Sequence, residues 1–336
     1  MKLLRRVFLG VLVLIVLPLF AFGCSSPKKE ESINVAEDIK LNMGAVLKNE
    51  EGSYKLYNYI NGKYEQMKSN YTVSTYDKNS SIYVSSEGGK NYIVHGNQKV
   101  EIKDLNYSNL ELSKGGEYIS YFIDDNGLKL KVFSTDGYKP IEIKSKVSIS
   151  GVLSDWYDSD TLVYYGVSDD GVNGLFTYNI KDDKEELLYK IKEGYLAFLK
   201  GTDNNVVFLQ LTLENKRQLL MIDKKTKEVK FLSDGIDDLS DIVKKDDTYY
   251  FTGKGSNNIN SLYEIKNNTV KRLVYDFPTR VKIEKGLRID ENGNVLFVGS
   301  NGGETAQEQI YTYTKDGSIS AISKNSTDYV FLEYIN

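Results

Sequence analysis

The stretch Lys55-Leu56-Tyr57-Asn58-Tyr59-Ile60-Asn61-Gly62-Lys63-Tyr64-Glu65-Gln66-Met67 decides the fold. Two short runs carrying aromatic and aliphatic residues flank Asn61-Gly62. A two-residue turn between twisted strands needs positive φ at both positions, and Asn-Gly meets that need best. The stretch is therefore a hairpin. Six more of the same form begin at Tyr92, Leu130, Leu175, Leu219, Leu262 and Ile310. They turn at Gly96-Asn97, Asp136-Gly137, Asp182-Asp183, Lys224-Lys225, Asn267-Asn268 and Asp316-Gly317.

From Leu56 onward the hairpin starts are 36, 38, 45, 44, 43 and 48 residues apart. That period is the one expected of propeller blades. Six of the hairpins are preceded by a polar turn and an apolar strand, most clearly Leu112-Ser113-Lys114-Gly115-Gly116-Glu117-Tyr118-Ile119-Ser120-Tyr121-Phe122. A sheet with two apolar faces cannot cover both alone, and packing each sheet on its neighbours around an axis covers them all. The expected fold is all-β: a β-propeller of seven four-stranded blades over residues 41–336, with six or eight blades as alternatives. Blade one has only three strands of its own. The C-terminal run Asp328–Ile335 has no hairpin, so it is expected to pair with the N-terminal sheet and close the ring. The 26 tyrosines are expected to fill the space between blades with their hydroxyls at the rim.

Ser113 and Gly115-Gly116 fit the turn that precedes an apolar strand in the TolB-type β-propeller repeat family, which the region from about Gln66 to Ile322 resembles. No copy carries the proline of that family's Ser-Pro-Asp-Gly-like turn.

The N-terminus reads as an address. Lys2, Arg5 and Arg6 precede an apolar run, Val7–Phe20, that is short for a membrane span. Phe20-Ala21-Phe22-Gly23-Cys24 follows, and Gly23-Cys24 resembles the end of a bacterial lipoprotein signal peptide, with Ala21 where that family usually has Leu. The resemblance implies that residues 1–23 are removed and that Cys24 is lipidated. It places the protein on the extracytoplasmic face of the cell membrane. Arg5-Arg6 fits an ordinary basic n-region as well as a twin-arginine signal. Residues 24–40 are polar and read as a tether, reaching roughly 50 Å when extended.

Composition excludes more than it reveals. The chain has 336 residues, 40% hydrophobic and 27% charged, with 43 Lys+Arg against 47 Asp+Glu. Loss of Lys2, Arg5 and Arg6 leaves the mature chain more acidic still, so binding of nucleic acid through bulk positive charge is disfavoured. A single cysteine and a single histidine, His95, exclude a disulfide framework or a Cys/His zinc site within the chain. Phosphate-loop and nucleophile-elbow spacings are absent from the sequence. Two acidic runs, Asp155-Trp156-Tyr157-Asp158-Ser159-Asp160 and Asp234–Asp241, could each hold a Ca²⁺ ion or be solvated turns. No other cofactor is expected.

Loop length is uneven. The segments Gly166–Gly174, Gly253–Ser261 and Gly299–Gln309 read as long polar loops on one face. A rigid ring carrying variable loops makes a binding surface. The residues assigned to it are Asp169, Asp170, Asn173, Asn257, Asn260, Glu304 and Glu308. The expected function is non-catalytic binding of a protein, peptide or glycan at the cell envelope by a monomer. The alternative is an enzyme acting on extracellular polysaccharide, a glycoside hydrolase or lyase, with carboxylates near the propeller channel.

Overall fold

The computed structural model describes residues 39–104, 106–303 and 306–336; Cys24, residues 1–38 and Glu304 lie outside them. The Asn61-Gly62 turn forms with φ of 50° and 79°, placing Ile60 opposite Lys63. All seven hairpins are present, and each is the second half of an antiparallel sheet. Seven such sheets follow one another, spanning residues 46–66, 72–101, 108–141, 147–190, 195–233, 236–272 and 280–321. They are blades 1 to 7, with strands a to d from the channel outward. The a strands of neighbouring blades lie against each other, and the d strands are largely exposed.

The chain is a seven-bladed β-propeller. Its ends meet as the C-terminal run required. Tyr329–Phe331 pairs antiparallel with Val46–Glu50 and supplies the missing a strand of blade 1. The run then does something its sequence did not announce. Leu332 steps across, and Glu333–Ile335 pairs in parallel with Thr72–Asp77, the a strand of blade 2. One segment thus stitches two blades.

Packing explains why the ring holds. The described residues form seven hydrophobic clusters, one in each gap between blades. Strand b of blade 5, Asn205–Leu211, shows the rule. Val206 and Phe208 face blade 4, while Val207 and Leu209 face blade 6. Period-two alternation with both faces apolar is what a strand between two sheets demands. Tyr121, Tyr164, Tyr178, Tyr263 and Tyr311 are fully buried in these gaps.

Carboxylates latch the gaps through backbone N–H groups. Asp77 accepts from Gly115 at 2.8 Å, Asp155 from Gly201 at 2.7 Å and Asp241 from Leu287 at 2.7 Å. Each bond joins one blade to the next, and a charged acceptor makes it stronger than a neutral one. Gly116 shows how close blades 2 and 3 come: it has φ of 69°, and a Cβ there would stand 2.9 Å from Ile82.

Strand direction sorts the two faces. The a strands run toward the a–b and c–d turns. Ile39–Ala45 enters strand b of blade 1 from that side, and Ile335 ends beside Lys78 on it. Both ends of the propeller therefore share one face, and the b–c loops lie on the other.

Candidate functional site at the channel

The loops first. Strands run further into the three expected loops than the sequence indicated, leaving 169–172, 256–259 and 301–307. Blade 5 has a b–c loop of similar length, 212–216, which the sequence reading passed over. Asp169 and Asp170 are exposed on blade 4. Asn173 is half-buried; its amide donates to the Gly194 carbonyl at 3.1 Å, and its Oδ1 is buried without a partner. On blade 6, Asn260 opens strand c and Asn257 accepts from Tyr263 Oη at 3.0 Å. The two groups share a face and are separated by blade 5.

Glu308 is not part of that surface. Its side chain is buried, with the residue only 5% exposed, and Oε2 accepts from the Tyr329 N–H at 3.0 Å. It latches the closing strand. The acidic runs divide in the same way. Asp158 and Asp160 sit in a turn, with Asp160 paired to Lys181, whereas Asp155 points into the blade 4–5 gap. Asp241 is buried between Lys200 and Arg288. Among the described residues no three acidic, histidine or cysteine side chains converge to hold a metal ion. His95 ends strand c of blade 2, half-buried beside its turn.

The functional geometry lies on strands that the sequence reading did not pick out. Glu111, Asp155, Lys200, Asp241 and Arg288 stand on the a strands of blades 3 to 7, with Glu333 completing the circle from the C-terminal strand; the a strand of blade 6 also carries Asp237, Asp238, Lys244 and Lys245. The residues of the circle recur every 41–47 positions, which is the blade period. Two regimes follow. Across blades 5 to 7, Lys200 pairs with Asp241, and Asp241 lies 3.6 Å from Arg288. Burial opposes ionisation of Asp241, but the two cations and the Leu287 N–H hold its carboxyl below its ordinary range.

Across blades 2 to 4 the balance reverses. Glu111, Asp155 and Glu333 are half-buried on the innermost strands. Burial raises all three, and Asp155 pushes both glutamates further. Glu333 is pushed up to about 7, with Arg288 and Thr75 opposing. Beside it opens a cavity of about 320 Å³ lined by Ser74, Thr75, Ser86, Asn91, Tyr107, Leu110, Arg288, Phe331 and Glu333. Ser86 and Asn91 flank the b–c turn of blade 2 and Tyr107 precedes strand a of blade 3, so this wall belongs to the loop face.

No protein-family model matches the chain, and no curated protein matches it. Solved structures do. The β-propeller domain of the Trilobed protease from Pyrococcus furiosus, described as having an open velcro topology, aligns with a TM-score of 0.56 at 17% identity, over 85% of this chain and 96% of that one. An oligogalacturonate lyase from Vibrio parahaemolyticus aligns at 0.50 and 13% identity over 85% of each. TolB from Acinetobacter baumannii aligns at 0.46 and 10% identity, over 88% of this chain and 67% of that one. The likeness is one of fold. In the present chain, hydrogen bonds join the closing segment to blades 1 and 2.

Proposed function

We propose that this protein is an exported, lipid-anchored propeller that binds a protein, peptide or glycan at the cell envelope without catalysis. One observation carries the reading. The chain enters the propeller on the face opposite the b–c loops and the channel cavity. A lipid on Cys24, followed by a tether of residues 24–40, would then leave the loop face turned outward. Two acyl chains anchor stably, since each buried CH₂ contributes about 0.8 kcal/mol. Propellers host scaffolds and enzymes alike, so fold likeness cannot choose between them.

Two measurements test the reading. Intact mass of the membrane-derived protein should give a chain that begins at a diacylglyceryl-modified Cys24, and Cys24→Ala should release the protein from membranes. Cross-linking in intact cells, with identification of the captured molecule, should find an envelope partner. Replacement of Asp169, Asp170, Asn173, Asn257, Asn260 and Glu304 by alanine should abolish the capture. An unmodified Cys24 removes the anchor; undiminished capture removes the loop surface.

The carboxylates facing the channel favour a second reading, an enzyme acting on extracellular polysaccharide. A glutamate that titrates near neutrality can serve as a general acid. Sugar released from cell-wall or plant glycans, and lost with Glu333→Gln, would support it over the first.

A further inference from the structure

The cavity beside Glu333 is small and of mixed lining. Its volume of about 320 Å³ lies at the lower end of the range for ligand pockets, room for one ring-sized unit rather than a length of folded chain. Its two charged groups have opposite signs: Arg288 lines one part and Glu333 another. Neither a cation nor an anion therefore meets a wall of uniform sign. Three Arg288 N–H groups already donate to the Leu287 and Leu332 carbonyls, and Asp241 stands 3.6 Å from its Nη1. Burial keeps the proton on Glu333 up to about 7, so below that pH its carboxyl can donate as well as accept. The charge balance selects a neutral occupant.

Its polar groups form two connected sets. On the loop-face wall, Ser86 Oγ donates to Asn91 Oδ1 and the Asn91 amide donates to Tyr107 Oη, which leaves the Tyr107 O–H and the Ser86 lone pairs for a ligand. On the channel strands, Thr75 Oγ1 donates to Glu333 at 3.3 Å, and Ser74 Oγ meets the Val84 carbonyl only at 3.5 Å, the outer limit of a hydrogen bond. Apolar surface comes from the Tyr107 ring, Leu110 and Phe331. We propose that this cavity is a sugar site that takes one uncharged pyranose unit of a glycan, its C–H face against Tyr107, Leu110 and Phe331 and its hydroxyls shared among Ser74, Ser86, Tyr107 and Glu333. A pyranose carries C–H groups on its faces and, around its edge, hydroxyls that each donate and accept. Hydroxyl partners rotate to suit either role, and aromatic rings supply a flat apolar wall. A wholly apolar ligand would leave these hydroxyls unpaired at a cost, and an extended peptide needs a sheet edge or an open groove to run along. The assignment rests on the binding reading above and selects the glycan from its three partner classes.

The test uses the purified protein near pH 6 and the methyl β-glycosides of glucose, galactose and N-acetylglucosamine. Each is compared with counterparts that carry a carboxylate or an ammonium at C6. Binding is followed by amide chemical shifts. At least one neutral glycoside should saturate, with shifts centred on Ser86, Asn91 and Tyr107, and both of its charged counterparts should bind about tenfold more weakly, the loss expected when a charge is desolvated without a full partner. Replacing Ser86 and Asn91 together by alanine should weaken the neutral glycoside similarly while leaving a cooperative melt. No saturation at about 30 mM, shifts centred elsewhere, equal binding of a charged counterpart, or tighter binding of a blocked alanine dipeptide overturns the inference. The comparison of probes needs no variant, so it stands even where a substitution fails to fold. If cross-linking still captures a partner through the b–c loops while no glycoside binds, the inference fails and the binding reading survives; if neither occurs, both fail.

Discussion

Arg288 on blade 7 donates from Nε and Nη2 to the carbonyl of Leu332, at 2.9 and 2.7 Å. Leu332 is where the closing segment leaves blade 1 for blade 2, so its carbonyl belongs to neither ladder and must be satisfied otherwise. The same guanidinium donates from Nη1 to the Leu287 carbonyl at 2.6 Å. It approaches Asp241 at 3.6 Å and lies over the Phe331 ring at 5.7 Å. One planar cation therefore ties blades 6, 7, 1 and the strand on blade 2 at the channel wall.

Arg288→Lys separates charge from shape. Lysine keeps a cation for Asp241 but lacks the fork that holds Leu332. The expected loss is about 1–3 kcal/mol, the cost of a buried carbonyl losing charged donors, read as a lower urea midpoint. An unchanged midpoint would show that the carbonyl finds another donor.

Truncation separates the two halves of the closing segment. Deleting residues 327–336 removes Tyr329, Phe331 and Leu332, all buried, together with strand a of blade 1. Each such side chain is worth about 1.5–3 kcal/mol of burial, so the melting temperature should fall sharply. Deleting only residues 333–336 leaves that antiparallel strand in place and should lower it much less. Equal losses would mean that the parallel strand, not the antiparallel one, closes the ring.

Gly116→Ala tests how tightly blades 2 and 3 meet. The position combines left-handed backbone with a 2.9 Å approach to Ile82, so a methyl group meets both a conformational cost and overpacking. A loss of roughly 2–4 kcal/mol is expected. Gly115→Ala shares the positive φ, but its Cβ would have no neighbour within 4 Å, and it should cost about 1 kcal/mol. Similar losses for both would deny the contact.

What was legible in the sequence was local. Asn61-Gly62 fixes its turn by backbone sterics alone, and strand b of blade 5 carries its two-sided burial in consecutive apolar residues. The closing strand was legible because Asp328–Ile335 had no hairpin partner; its crossing at Leu332 was not, since that depends on a long-range carbonyl bond to Arg288. Glu308 shows the limit most plainly. A glutamate beside a polar loop reads as solvent-facing until a distant Tyr329 N–H is found against it. The channel charges did leave a signal, an Asp, Glu, Lys or Arg recurring on the a strands at blade spacing, but in blade 6 four further charges on the same strand mask it. Several of those strands are bulged, as at Ser108/Glu111 and Ile149/Ser154, which breaks the period-two pattern and hid them.

Glu333→Gln tests the acidic half of the channel through pH. In the folded protein Glu333 titrates at about 7 against an ordinary 4.5. Burial is the chief cause and Asp155 the next, with Arg288, Thr75 and Lys200 opposing; Glu111 belongs to the same set. Between those two pH values the folded state binds more protons than the unfolded one, so stability declines as pH rises through the window. Glutamine mimics the protonated acid at every pH. Wild type and Glu333→Gln should therefore melt together near pH 4.5 and separate as pH rises. The variant should be more stable at pH 8 by about 1–3 kcal/mol, the upper end being reduced by water in the channel. Parallel melting curves at all pH values without ligand would place Glu333 in ordinary solvent and remove the electrostatic asymmetry of the channel.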